Sequence, residues 1–97
     1  MPLTLDSVVV AAPRQVSSVV GDETVILELE QGMYFSLADV GNRVWELLRE
    51  PRSVTQLRDA IVAEYEVDPE IATGDLLSLL AEMRGRGLVE VRGGEAP

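Results

Sequence analysis

The 97-residue chain has no cysteine and no histidine, and all eight of its basic residues are arginines. Without cysteine no disulfide can form. Without cysteine and histidine the usual zinc sites and nucleophile–base constellations are also excluded. No apolar run approaches the ~18 residues of a membrane span. The N-terminus lacks the basic-then-apolar pattern of a secretion signal. A cytoplasmic protein without a membrane partner is therefore expected. No EF-hand spacing is present. Gly85-Arg86-Gly87 and Gly93-Gly94 lack the strand–loop–helix context of a phosphate loop. Neither an internal repeat nor a low-complexity segment is found. Neither a metal nor a cofactor is expected.

What remains is a chain that is 46% hydrophobic, with seventeen acids against eight arginines and a net charge of −9. Its length fits one domain over residues 1–97. Such a chain buries roughly 60–65% of its unfolded surface, enough for one core. The acidic balance argues against nucleic acid, whose binding is driven by exchange of cations for counterions. It suits a basic or neutral peptide, or it serves solubility alone.

Met33 to Leu48 organises the chain. Met33-Tyr34-Phe35-Ser36 reads as a strand. From Asp39 the period changes: Val40, Val44, Leu47 and Leu48 form the stripe of an amphipathic helix, widened by Trp45. A sheet therefore ends here, and its last strand has one edge of unpaired N–H and C=O groups.

Before it, Leu3 and Leu5 could alternate as a short strand. Val8 to Ala12 is a β-branched run stopped by Pro13, and Gln15 to Val20 alternates. Gly21-Asp22-Glu23 is turn chemistry. Thr24 to Glu30 alternates, with Val25, Leu27 and Leu29 on one face. A three-residue loop Glu30-Gln31-Gly32 would set Leu29 opposite Met33, Leu27 opposite Phe35 and Val25 opposite Leu37, all on the core face. Tyr34 and Ser36 would then look outward.

The first helix is expected over residues 39–49, ended by Pro51. Ser53-Val54-Thr55-Gln56 has capping-box spacing for a second helix, with Val54, Leu57, Ile61 and Tyr65 as its buried stripe. Asp68-Pro69 is an N-cap and first-position proline for a third helix reaching about Arg86. Gly87 is its left-handed terminator, with Leu88 folding back. Val89 and Val91 suit a last strand, and residues 93–97 should fray. Ala72, Leu76, Leu80 and Met83, flanked by Leu77 and Leu79, make the third helix broadly apolar. It is either packed on two sides by its own domain or lines a groove. Gly74 is either tolerated there, at roughly 1 kcal/mol against Ala, or permits another backbone to approach.

Asp68 with Glu70, or Asp75 with Glu82, could be read as acid–base pairs. Nothing around them suggests an apolar cleft that would raise a pKa, so the chain is read as not an enzyme. The second and third helices with residues 87–91 look like a winged helix-turn-helix. A recognition helix should carry Arg, Lys, Asn or Gln in its N-terminal half. Here stand Pro69, Glu70, Ala72, Thr73, Gly74, Asp75 and Ser78, with Arg84 and Arg86 only at the far end.

Tyr34-Phe35-Ser36-Leu37, Val40-Gly41, Val44-Trp45-Glu46-Leu47-Leu48, Val54-Thr55-Gln56-Leu57, Glu64-Tyr65, Asp75-Leu76 and Gly87-Leu88-Val89, in this order and spacing, resemble a PqqD-like domain over about residues 8–91. The resemblance implies an α+β fold, winged helix-turn-helix-like, with a three-stranded antiparallel sheet followed by three helices. It implies a recognition element that binds the leader segment of a ribosomally made precursor peptide. The leader would lie as an added strand on the third strand, against the third helix. Ala38 departs from the family's usual Asn, which leaves either Asp39 to cap the first helix or a weaker helix start. Under this resemblance the peptide-binding residues are Met33, Tyr34, Phe35 and Ser36 on the strand, with Asp75, Leu76, Leu79, Leu80, Glu82 and Met83 on the helix. A stand-alone acidic chain is most similar to the discrete leader-binding protein of lasso-peptide biosynthesis. Its partners would be a transglutaminase-like leader peptidase and a cyclase. The alternatives are a peptide chaperone for pyrroloquinoline quinone synthesis and a winged-helix transcription regulator.

Overall fold

The structure, a computed structural model, describes residues 3–93. Strands β1 (Val8–Ala11), β2 (Gln15–Val20), β3 (Glu23–Glu28) and β4 (Tyr34–Ala38) come first. Helix α1 (Val40–Leu47), the short strand β5 (Arg52–Ser53), helices α2 (Val54–Tyr65) and α3 (Pro69–Gly85), and strand β6 (Val89–Gly93) follow. The α+β class, the three-stranded antiparallel sheet β2-β3-β4 and the three helices match expectation. A second three-stranded sheet, β5-β1-β6, was not foreseen. It pairs Val9 with Arg52 on one side and with Val91 on the other. These partners are far apart in sequence, so no local pattern announces them.

Leu3 and Leu5 form no strand. Residues 4–7 turn instead: the Ser7 N–H donates to the Thr4 carbonyl at 3.1 Å and the Thr4 N–H to Ser7 Oγ at 2.9 Å. The turn aims carbonyls at the start of α2. Val54 N–H donates to the Ser7 carbonyl at 2.9 Å and Thr55 N–H to that of Leu5 at 3.1 Å. First-turn N–H groups of a helix have no partner within it, so this segment satisfies donors that would otherwise be orphaned. Gly93 closes β6 opposite Val8. The rest of the tail expected to fray, residues 94–97, lies outside the described residues.

The register of β3 against β4 corrects the expectation. Ile26 pairs with Phe35, Thr24 with Leu37 and Leu27 with Tyr34. Thr24, Ile26 and Glu28 are buried, whereas Leu27 and Leu29 are exposed. A one-residue slip moves every side chain to the other face. The cause is Glu28. Its carboxylate is buried and accepts the N–H groups of Glu30 at 2.7 Å and Gln31 at 2.8 Å. Those bonds fold residues 29–32 into the loop, closed where the Glu28 N–H donates to the Met33 carbonyl at 2.7 Å. A carboxylate counted as outward is thus the inward anchor of the turn, and charge-assisted bonds of this kind are the strong ones.

The helix signals hold. Gln56 N–H donates to Ser53 Oγ at 3.0 Å while Ser53 N–H donates to Gln56 Oε1 at 2.9 Å. Asp68 Oδ1 accepts from the N–H groups of Glu70 and Ile71, with Pro69 in the first turn. Gly87 has φ +75°; its N–H donates to the Arg84 carbonyl, and the Leu88 N–H reaches that of Met83 at 2.9 Å. That is the Schellman pair, and Leu88 is buried as its hydrophobic contact. Two calls change. Tyr65 is exposed at the end of α2, so the buried stripe is Val54, Leu57 and Ile61. Asp39 precedes α1 with φ 51° and makes no side-chain cap bond; its carbonyl accepts from the N–H groups of Asn42 at 3.1 Å and Arg43 at 3.4 Å. The strained φ of a non-glycine residue, costing of the order of 1–3 kcal/mol, sits where β4 turns into α1.

The core lies between the two sheets and the helices. Val9 comes from one sheet, Ile26 and Leu37 from the other, and Trp45, Leu57 and Leu80 from the three helices. Trp45 is buried with Val44 and Leu48, as its stripe implied.

Candidate functional site

β4 is an outer strand of its sheet, and among the described residues no strand lies beyond it. The bond from Glu28 N–H to the Met33 carbonyl sets the phase of the β3–β4 ladder. Bonded and non-bonded pairs alternate along an antiparallel pair. Phe35 and Leu37 therefore turn their amides and carbonyls toward β3. Tyr34, Ser36 and Ala38 turn theirs to the open side. Their side chains share the outer face and are exposed, Tyr34 by 67%. Phe35 and Leu37 project from the other face, toward the core.

Helix α3 supplies a second surface. Asp75, Leu79, Glu82 and Arg86 recur at helical spacing, so they form one row. At one end of the row is an apolar hollow of about 250 Å³. Val40, Gly41 and Val44 of α1 line it, with Ile61 of α2, Val67 of the connection, and Ile71, Ala72, Asp75, Leu76 and Leu79 of α3. At the other end the Arg86 guanidinium lies 5.0 Å from the centroid of the Phe35 ring, a cation–π distance. The row thus leads from the hollow to β4. Gly41 shapes the hollow from the α1 side: a Cβ there would stand 3.1 Å from Leu37 Cδ2, a tight contact to which the Leu37 side chain would have to yield.

The electrostatics of this face are mixed. Asp75 and Glu82 are exposed carboxylates on the row. Glu82 lies 3.6 Å from the Arg86 guanidinium, which leaves Asp75 the acidic group at the rim of the hollow. On the flank, Arg43 Nε of α1 donates to Glu64 of α2 at 2.9 Å and its Nη1 to Glu46 at 3.0 Å. Those bonds, Glu64's first, raise its pKa above the ordinary guanidinium value. No group of His, Cys, Asp or Glu side chains suited to a metal occurs among the described residues. No helix there is long and apolar enough to cross a membrane.

The structure distributes the expected site residues unevenly. Tyr34 and Ser36 present main-chain groups to the open edge; Met33 and Phe35 spend theirs on β3. Ala38 joins them, one pair beyond the stretch singled out from sequence. Asp75, Leu76 and Leu79 come together at the hollow. Glu82 sits further along the row. Leu80 and Met83 are fully buried and offer no surface to a ligand. They face the core because they fall on the Ala72–Leu76 side of the helix. The lining from α1 and α2 was missed, as was Ile71. The available signal was an apolar residue off the buried stripe: Ile71 is 64% exposed at the rim.

The family model described as "Coenzyme PQQ synthesis protein D (PqqD)" matches residues 23–89. No curated protein matches significantly. Among solved structures, TbiB1 in complex with the TbiA(beta) leader peptide is similar at 38% identity, covering 91% of this chain and 99% of that one, with a TM-score of 0.78. A lasso peptide synthetase B1 complexed with its leader peptide shares 21% identity over 84% of this chain and 96% of that one, with a TM-score of 0.74. The PqqD truncation of Methylobacterium extorquens PqqCD, described as a stand-alone RiPP recognition element, shares 22% over 91% of this chain and 94% of that one, with a TM-score of 0.76. With the family model covering more than half its length, and a 38% identical relative spanned almost end to end, the chain belongs to the PqqD family.

Proposed function

We propose that this protein binds the leader segment of a ribosomally synthesised precursor peptide and presents it to the enzymes that process it. The observation that carries this reading is the open side of β4, where Tyr34, Ser36 and Ala38 offer alternate main-chain donors and acceptors, joined by the α3 row to an apolar hollow. Strand addition needs both parts. Main-chain bonds supply affinity, and pockets for alternate side chains supply selectivity. Leu76 and Leu79 would hold an apolar leader side chain in the hollow, and Asp75 at its rim would favour a basic neighbour. The 38% identical relative is solved with a leader peptide bound, which supports the same role here. Presentation to a transglutaminase-like leader peptidase and a cyclase, as in lasso-peptide biosynthesis, rests on the sequence resemblance. So does a role in binding rather than catalysis.

In this reading the helical half is winged helix-turn-helix-like: α2 and α3 stand for the helix pair and β6 for the wing. The first half of α3 carries Glu70 and Asp75 and no arginine, which disfavours a DNA phosphate backbone. The test is a titration of the cognate leader and of a random DNA duplex at low salt. Leader binding that Leu79→Asp weakens in a folded protein is the expected result. Tight duplex binding with a steep salt slope, and none to the leader, would overturn the proposal.

A further inference from the structure

Among the described residues the sheet has a second open edge, on β2. The Leu29 N–H donates to the Arg14 carbonyl at 3.1 Å. With one-to-one pairing from Gln15↔Glu28 to Val20↔Glu23, this phase turns Val16, Ser18 and Val20 toward β3. Gln15, Ser17 and Val19 direct their amides and carbonyls to the open side. Proteins usually blunt such an edge with charge, proline, a bulge or shortness. β2 uses none of these. It runs six residues, Gln-Val-Ser-Ser-Val-Val, without a charge, and its pairing is unbroken. Val16, Val19 and Val20 are 54%, 74% and 63% exposed.

We propose that β2 pairs antiparallel with β2 of a second copy of this chain, extending the sheet across a two-fold axis. Three observations select this occupant. First, Ser17 and Val19, on the face that β3 and β4 turn to the core, are exposed on β2. An added strand would find main chain there and no side-chain pocket to select a foreign sequence. Second, the chain carries −9, so two copies repel over most of their surface; β2 is uncharged. Third, the charges flanking β2 are self-complementary. Arg14 precedes it and Asp22 follows it, both exposed. Antiparallel pairing with Ser18 on the axis brings Arg14 of each copy to the turn of the other, where Gly21 and Asp22 link β2 to β3. Arg14 now holds Glu30 at 2.8 Å through one guanidinium nitrogen, in an exposed pair that leaves its other donors available. The same register opposes Val16 with Val20 twice, and Ser18 with itself. Placing Ser17 on the axis would instead set Arg14 against Val20, and parallel pairing would set like charges together. The proposal is independent of leader binding, which uses the opposite edge.

The test uses the full chain. Sedimentation across a concentration series should show the mass rising from one copy toward two. Ser18→Glu puts like charges directly opposite one another and should raise the dimer dissociation constant about fivefold. Ser18→Arg should do the same, and an equimolar mixture of the two variants should recover the dimer. Ser18 is exposed on the outer face, so circular dichroism should show both variants folded. Because the chain has no cysteine, Ser18→Cys reports the register. Directly opposed residues of a non-bonded pair stand about 4.5 Å apart, within disulfide reach. Oxidation should give a covalent dimer, which Ser78→Cys on α3 should not. A wild-type chain that stays one copy at every concentration, or a Ser18→Glu variant that associates as well as wild type, would overturn the proposal.

Discussion

Ser36 is the position at which strand addition can be separated from fold stability. Its N–H faces the open side of β4, its side chain is exposed, and its cross-strand neighbour Val25 makes no ladder bond with it. Ser36→Ala leaves the main chain intact and should change leader affinity by less than about twofold. Ser36→Pro removes the N–H that an added strand would use. Losing that bond and stranding the leader carbonyl costs about 1–3 kcal/mol, an increase in Kd of about 5- to 150-fold. The bonds from β4 to β3 come from the residues on either side, so the hairpin should persist, as prolines are tolerated on edge strands. Phe35→Pro is the converse. It deletes a ladder donor to Ile26, which is buried, and removes a ring packed on the core. That variant should be destabilised by a further few kcal/mol, about 2–5 with the ring loss included. Isothermal titration with the leader and urea denaturation, run on all three variants, measure the two effects separately. Ser36→Pro binding as wild type in a folded protein would refute the reasoning. So would Phe35→Pro with unchanged stability.

Other expected outcomes concern the scaffold. Glu28→Ala removes the carboxylate that accepts two loop amides, and urea denaturation should show a loss of about 2–4 kcal/mol. Trp45→Ala should cost about 3–5 kcal/mol as a large core truncation, measured the same way. Gly74→Ala should raise stability by up to about 1 kcal/mol, seen as an upward shift in Tm, because a Cβ there meets nothing within 4 Å.

Much of this fold was legible because its signals are local. Ser53 with Gln56, Asp68 with Pro69, and Gly87 with Leu88 each encode a helix end within a few residues, and each is found where the spacing put it. The β3–β4 register was not legible. It depends on Glu28 spending its charge on a turn, whereas periodicity counts any Glu as outward. The β5-β1-β6 sheet escaped because β5 is two residues long and β6 lies at the opposite end of the chain from β1. At the site, the open edge followed from the change of period at Asp39. The hollow did not, because three helices contribute to it and only one was suspected. Leu80 and Met83 show the limit of a helical stripe: Leu76 and Leu79 reach the hollow, and four residues further along the same helix is fully buried core.

The central claim is that a leader peptide pairs with the main chain of β4. Amide hydrogen exchange with and without the cognate leader tests it residue by residue. The account predicts that the amides of Tyr34, Ser36 and Ala38 exchange freely alone and slow strongly on binding, while those of Phe35 and Leu37, already bonded to β3, change far less. Protection confined to α2 and α3, with the alternate amides of β4 still exchanging freely, would contradict it.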